Sequence, residues 1–557
     1  MPDLSGQDLD FIRNRSAAGG VNSYAFPFDI GDNEAVELTN IDASTRGIRK
    51  SRQGVSLVAS GITFGPILTM SPYQAVSADT ELLAVSPGAT FPNAQHLKLW
   101  SWDGTASTWS LKGTLTGFTS ATVGIEIVPG IDLNSVSGKP YLARIFTQQS
   151  IALSFVYDGT NLGSTNAAAA VPAAGFFPAA DVLNRGFASA DAANRAKIYF
   201  TDTGMFGFTG WSTTQNVTMG GGARQLVKAI KPFRNRNLIT FMADRIEAII
   251  LADSSLVPGA GDAGIIGPYR DWSREVIDTS IGCAGYRCVA STGEDLLFAD
   301  QLGNVRSLNQ TITDNQQGVK GTPLSIGIQG YIDRINAAAI DKINAVFYDR
   351  FCFFGFPLDS ATDVSHTFAW DVVNKAWYGP YTGLFPARSM AAATMTNASA
   401  AAKYQNPSLY LGSAATTGGL VYHAFDGVTD AGAAIVYQET SKRYNGDQLE
   451  APKFFRRLAD FYQATGSETM LVEARKDGGA WTQLGTIDLT GDTPSLPLTF
   501  PFSFGGSGVV KKRFSLERFG EQVQDMQFRY TATASGEIRH LGFSVALHRK
   551  NFDWTVD

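Results

Sequence analysis

The feature that most constrains this chain is the rhythm of its turns. Short apolar and β-branched runs stop at Gly, Asp or Asn and then resume, from one end of the sequence to the other. Leu97–Lys112 reads LKLWSWDGTASTWSLK, with Asp103-Gly104 set between Trp100, Trp102 and Trp109. Ile151–Thr165 carries Phe155-Val156-Tyr157-Asp158-Gly159, Ala196–Trp211 opens AKIYFTDTG, and Asn237–Leu251 turns near Asp244-Arg245. Glu294–Leu308 turns at Gly303-Asn304, and Ala345–Pro357, His366–Tyr378 and Ser408–Asp426 repeat the device. An apolar strand, a polar turn and a second apolar or aromatic strand form a β-hairpin signal. Helical periodicity is scarce: Leu9–Arg15 reads as a short turn and Ile332–Ile343 as the best internal helix. The predicted class is all-β.

Successive hairpins lie roughly 20 to 60 residues apart, overlapping the ~40–50-residue blade period of propeller repeats. No strict consensus such as a recurring Trp-Asp dipeptide emerges from this reading. A β-propeller buries hairpins by radial repetition and leaves only short, protected edges; a series of sandwiches would produce similar hairpins. The expectation is a segment at 1–60 that feeds the fold and makes inter-subunit contacts, and a β-propeller at 61–430 with its blade count open. After residue 430 the composition shifts. Ala434–Thr440, Leu458–Tyr462, Met470–Arg475, Trp481–Leu489, Leu496–Phe504, Gln524–Thr533 and Ile538–His548 read as strands. That many in so short a span suits a two-sheet β-sandwich at 431–557, with the polar stretch Ser441–Ala451 and Pro452 marking its boundary.

Composition narrows the function classes. Hydrophobic residues make up 44%, enough for a sizeable core, whereas charged residues reach only 17%, below the roughly 25% of ordinary soluble domains. A surface short of charge resists association poorly, which suits a permanently assembled subunit. Net charge is −6, and residues 431–557 carry 15 of each sign, so the whole excess lies in the first 430. A tight binder of nucleic acid should be basic, because affinity comes from neutralising phosphates; a surface past which DNA slides is better mildly acidic. Cys283, Cys288 and Cys352 are the only cysteines. C-x4-C alone is no zinc site, so buried thiols in a reducing cytoplasm are expected. MPDLSGQDLDFIRNR lacks a signal pattern, and no apolar run is long enough to span a membrane.

No catalytic frame is recognisable. His96, His366, His423, His540 and His548 are the whole histidine supply, and H-E-x-x-H, G-x-S-x-G and a P-loop are missing. Structural histidines are expected, with no catalytic, cofactor-binding or metal residues, no cofactor, and no enzymatic activity. Ser101–Thr105 and Asp477–Trp481 resemble the Asp-box turns of sialidase-type propellers, which are structural. Glycoside hydrolysis takes two carboxylates ~5–9.5 Å apart, and with 51 acidic residues a chance pairing carries no weight. Lys228, Lys231, Arg234 and Arg236 crowd around Phe233, while Arg456-Arg457 and Lys511-Lys512-Arg513 lie further on. Basic residues among aromatics can bind single-stranded nucleic acid, but neighbouring acidic residues cancel the field, so solvated or inter-subunit faces are expected. Arg46, Arg49, Lys50 and Arg52 form the densest run, expected as an inter-subunit or adaptor contact.

Gly19-Gly20-Val21-Asn22, then Leu38-Thr39-Asn40, then Gly47-Ile48-Arg49-Lys50-Ser51-Arg52-Gln53-Gly54 resemble the start of the tail nozzle and packaged-DNA stabilisation proteins of short-tailed bacteriophages. Gln53 stands where that family would have proline. Ile281–Ala284, Gly293–Asp300, Gly303–Arg306, Phe347–Arg350, Ala369-Trp370-Asp371 and Trp377 follow the family's order, so the resemblance covers most of 19–430 and is looser beyond. It implies a virion protein made in the host bacterial cytoplasm. Its copies would form a hexameric ring, closed by heterologous contacts, at the distal end of the tail. Implied partners are a tail adaptor protein, tail fibres or a tail-tip plug, and genomic double-stranded DNA in the lumen without tight specific binding. The ring would retain packaged DNA and serve as its exit at ejection. Two rival readings are a receptor- or carbohydrate-binding tail protein and a propeller glycoside hydrolase. A trimeric fibre would show collagen-like or coiled-coil repeats, and none appear.

Overall fold

The computed structural model describes residues 10–549 except 15, 28, 46, 75–78, 89–95, 117–123, 132–140, 148–153, 161, 166–178, 183–184, 190–194, 202–210, 221–224, 235, 252–264, 267–271, 319–320, 416–417, 446–452, 464–467, 490–508 and 521–522. The fold is all-β. Among the described residues the longest helix is Leu308–Gln316, capped by the Ser307 hydroxyl on the N–H of Gln310.

Among the described residues seven antiparallel meanders follow one another in sequence. Their first strands are Thr69–Gln74, Ile125–Ile131, Ala179–Val182, Val227–Phe233, Val289–Ser291, Asn344–Tyr348 and Ser389–Ala393. Each first strand lies against the first strand of the next meander, and the seventh lies against the first. The seventh meander takes its fourth strand from the other end of this stretch. Val55–Leu57 pairs antiparallel with Val421–Ala424, in the register Leu57 to Tyr422, Ser56 to His423 and Val55 to Ala424. Inner strands such as Phe351–Phe356 and Ala376–Tyr381 are buried almost throughout, so they read as continuous apolar runs rather than alternations.

One turn device recurs. In four meanders an aromatic residue and an aspartate stand at the end of the third strand or just beyond it: Trp102-Asp103, Tyr157-Asp158, Trp370-Asp371 and Phe425-Asp426. Asp103 Oδ1 accepts the N–H groups of Thr105 and Ala106 at 3.0 and 3.3 Å and the Thr105 hydroxyl at 2.8 Å. Asp371 Oδ1 accepts those of Val373 and Asn374 at 2.9 and 3.0 Å. A carboxylate satisfying backbone donors two and three residues on stands in for a backbone turn. Asp426 instead accepts the Ser56 hydroxyl on the closing strand. The reading that no Trp-Asp dipeptide recurs is therefore corrected: it occurs at 102–103 and 370–371, with Tyr-Asp and Phe-Asp in equivalent places.

The C-terminal strands form two further sheets with help from the N-terminal segment. Lys453–Gln463 lies between Val509–Ser515 and Arg539–Arg549, and Arg539–Arg549 also pairs with Asp10–Asn14 and Arg49–Ser51. In the second sheet Ile435–Thr440, Met526–Ala534, Thr469–Lys476 and Thr482–Asp488 are neighbours in that order. Glu37–Thr39 pairs with Ile435–Thr440 on one side and with Ala376–Tyr381 on the other. One nine-stranded sheet thus runs from the sixth meander into the C-terminal region. Leu458, Met470, Val472, Phe528, Tyr530 and Val545 are fully buried here, each worth about 1.5–3 kcal/mol on burial.

Three local expectations change. Asp10–Asn14 is a strand, not a helical turn, because Ile12 and Asn14 share one face of a period-2 pattern against Arg539–Arg549. Ile332–Ile343 is broken between Gln329–Ile332 and the 3₁₀ turn Ala337–Lys342, because the Asn336 side chain caps a new start on Ala338. Val509–Ser515 is a strand although its Lys511-Lys512-Arg513 triad disguises it. The expected strand Leu496–Phe504 and Arg46 lie outside the described residues.

Candidate functional site

Six of the seven first strands converge on a cavity of about 200 Å³. They contribute Thr69, Met70, Glu126, Ile127, Lys231, Val289, Asn344, Ala345, Ser389 and Met390, and the segment entering Val289–Ser291 adds Tyr286 and Arg287. Strands that converge in this way bring side chains from distant sequence positions into one small volume. Lys231 Nζ reaches Glu126 Oε1 at 3.0 Å. Arg287 donates from Nη2 to the Ile125 carbonyl at 3.0 Å and from Nη1 to the Arg388 carbonyl at 3.3 Å, and its guanidinium stands 4.6 Å from the Tyr286 ring centroid. Arg388 is paired with Asp363 at 2.9 Å. Burial lowers the pKa of Arg287 and raises that of the Tyr286 phenol. Asn344 donates to the carbonyls of Ala387 and Arg388 at 2.7 and 2.9 Å, and Ser389 to that of Ile67 at 3.1 Å.

The Tyr286-Arg287 pair is set between two buried cysteines. Cys283 and Cys288 hold their sulfurs 2.9 Å apart, and both bond the Gly285 carbonyl, at 2.9 and 3.0 Å. Burial pushes the Cys283 thiol well up, and Cys352 likewise. Among the described residues lining the cavity, Glu126 is the one carboxylate, whereas paired-carboxylate glycoside hydrolysis takes two. Sequence reasoning singled out Lys231 but missed Glu126, Tyr286 and Arg287. The available signal was positional: Arg287 and Arg388 each stand within two residues of the start of a first strand.

The other flagged residues are dispersed. The run Arg49-Lys50-Arg52, expected as an inter-subunit or adaptor contact, is corrected for its two arginines, which are buried within the chain. Arg49 Nε pairs with Glu439 at 2.6 Å. Arg52 grips Asp430 through two nitrogens at 2.8 and 2.6 Å, and also donates to Asn40 Oδ1 at 2.9 Å and the Thr382 carbonyl at 2.9 Å. Lys50 is half-exposed beside Asp42 at 3.2 Å. His540 is buried between Glu439 Oε2 at 3.0 Å and Asp460 Oδ1 at 3.6 Å. His423 packs on Tyr404 and Tyr410, and burial lowers its pKa and that of His366. His548 is buried, and the side chain of His96 lies outside the described residues. Arg234 stands over the Phe233 ring and bonds Asn309 at 3.3 Å, and Lys511, Lys512 and Arg513 are exposed on their strand.

No protein-family model matches the chain, and no curated protein does. Among solved structures it is similar to an exo-β-1,3-galactanase from Phanerochaete chrysosporium with bound galactose: 10% identity, 89% of this chain, 100% of that one, TM-score 0.27. A protein of unknown function from Dyadobacter fermentans is 11% identical over 57% of this chain and 97% of that one, at TM-score 0.31. The extracellular domain of a putative one-component system from B. thetaiotaomicron is 11% identical over 89% and 63%, at TM-score 0.34. Scores this low carry no argument about fold or ligand. One expectation is nevertheless corrected: a glycoside hydrolase stands among the similar structures, so the expected absence of enzymatic activity is withdrawn.

Proposed function

We propose that this chain is the nozzle subunit of a short bacteriophage tail. In this reading it is a seven-bladed β-propeller joined to a C-terminal β-sandwich, assembled with its copies into a hexameric ring below the tail adaptor, which retains packaged DNA and lets it out at infection. The cyclic order of the seven first strands and the closing strand Val55–Leu57 support the propeller. The functional reading rests on one observation: the opening residues that carry the resemblance, from Gly20 to Gly54, meet at the junction between meanders and C-terminal sheets.

Gly20 has φ +77°, and a Cβ there would lie 2.2 Å from the Trp377 carbonyl oxygen. Leu38 pairs with both Gly379 and Glu439. Asn40, at φ 56°, holds Arg52 and Thr382. A Cβ on Gly54 would lie 2.0 Å from the Thr429 carbonyl oxygen. Those steric and ionic duties make the joint stiff, and a stiff joint suits a ring that withstands pressure. Native mass spectrometry and electron microscopy of the purified chain mixed with tails lacking it test the proposal. Six-fold rings are expected; monomers that never join the tail would contradict it.

A second reading, a carbohydrate-binding propeller, is favoured by the central cavity, whose wall combines Tyr286 with Glu126, Lys231 and Arg287. Saturable binding of galactose or a β-1,3-galactan, or release of reducing sugar, would favour it over the first.

A further inference from the structure

We infer that the central cavity is a binding site for a small anion, a carboxylate or phosphate group, held by Arg287 with Lys231 and Tyr286. The inference does not depend on the tail reading, and under the carbohydrate reading it narrows the ligand to acidic sugars.

The charges of the cavity do not balance internally. Lys231 is matched by Glu126 and Arg388 by Asp363. Arg287 has two backbone carbonyls and the Tyr286 ring as its near partners, and among the described residues no carboxylate oxygen comes within 4.0 Å of it, Glu126 and Asp363 acting on it from further off. A half-buried guanidinium with no carboxylate close by is only partly compensated, and an anion in the cavity would complete that compensation. Arg287 also has donors to spare: a guanidinium carries five N–H groups in a planar fork that fits carboxylate and phosphate oxygens, and two are used. Lys231 sits in the same wall.

The site is rigid before any ligand arrives. Cys283 and Cys288 share the Gly285 carbonyl on either side of it, and a Cβ on Gly285 would lie 2.8 Å from the Asp341 carbonyl oxygen. Donors fixed in place lose little entropy when they bind. At about 200 Å³ the cavity is smaller than the ~300–1,000 Å³ of drug-sized pockets, which fits a single acid group on a small body and not an oligosaccharide.

The test is calorimetric titration of the full chain at constant ionic strength with sodium phosphate, sodium glucuronate and neutral galactose. Saturable binding of at least one of the two anions is expected, and the tighter one identifies the source of the acid group. Arg287→Gln should weaken it about tenfold or more, the size of one charge-assisted hydrogen bond, while Arg334→Gln, at an exposed ion pair, should not. If Arg287→Gln fails to fold by circular dichroism, Arg287→Lys, which keeps the charge but loses the fork, replaces it with the same expected direction. Absence of saturable binding for both anions, or anion binding unchanged by substitution at Arg287, overturns the inference. Galactose binding without anion binding also overturns it, and leaves the carbohydrate reading standing.

Discussion

Arg52 is the place where the account of the junction can be broken most cleanly. It is 2% exposed and ties four segments together: its own, Asn40, Thr382 and Asp430. Replacing it with alanine strands the Asp430 carboxylate, itself 4% exposed, with the Leu384 N–H at 3.1 Å as a remaining donor. Removing one partner of a buried pair costs about 3–5 kcal/mol, a large share of the ~5–15 kcal/mol that holds a domain folded. Packing on Phe385, whose ring centroid is 5.2 Å away, is lost as well. Urea unfolding followed by tryptophan fluorescence reads the change as a shifted midpoint at unchanged slope. Arg52→Met combined with Asp430→Leu should recover part of the loss, because an apolar replacement of both partners leaves no stranded charge; the Asn40 and Thr382 bonds stay missing, at about 1 kcal/mol each. Arg334→Ala, which breaks the exposed pair with Asp359, should be silent. A loss below about 1 kcal/mol for Arg52→Ala, the range of exposed ion pairs, would refute the reasoning.

Three further outcomes are expected. Gly54→Ala should abolish soluble expression, because its Cβ meets the Thr429 carbonyl oxygen at 2.0 Å; normal yield and thermal stability would count against the junction. His540 is fully buried, and although burial opposes its charge, Glu439 and Asp460 prevail and raise its pKa. Its contribution is therefore complete below the unfolded value of about 6.5 and is lost as pH rises through the folded pKa. Urea midpoints of the native chain should fall on the alkaline side, and His540→Gln should remove that slope. Finally, with all of the −6 in the first 430 residues, the assembled ring should not retain duplex DNA at physiological salt in a gel-shift assay, since each phosphate contact would tighten binding steeply; tight retention would show that the lumen is basic.

What could be read from the sequence is what short-range chemistry fixes. Asp103-Gly104 announces its hairpin because the carboxylate bonds residues two and three further on, and the strands His96–Trp102 and Ser110–Thr116 follow on either side. The burial of Arg49 and Arg52 was hidden because four basic residues in seven read as an inter-subunit or adaptor contact, while Asp430 and Glu439, which neutralise them, lie hundreds of residues away. The alternation of buried Arg49 and Ser51 with half-exposed Lys50 was the available hint, a strand period inside a charge run. Closure by Val55–Leu57 is a long-range pairing of three unexceptional residues. The central cavity was illegible for a related reason: Glu126, Lys231 and Arg287 become neighbours only once the cyclic order of the strands is known.

The most direct test is cryo-electron microscopy of virions that carry this chain with a gold-labelled affinity tag. The account predicts label and six-fold density at the distal end of a short tail, with the meander region and the C-terminal sheets fitting as one rigid unit. Particles that lack the chain, or that carry it elsewhere than the tail, would contradict it.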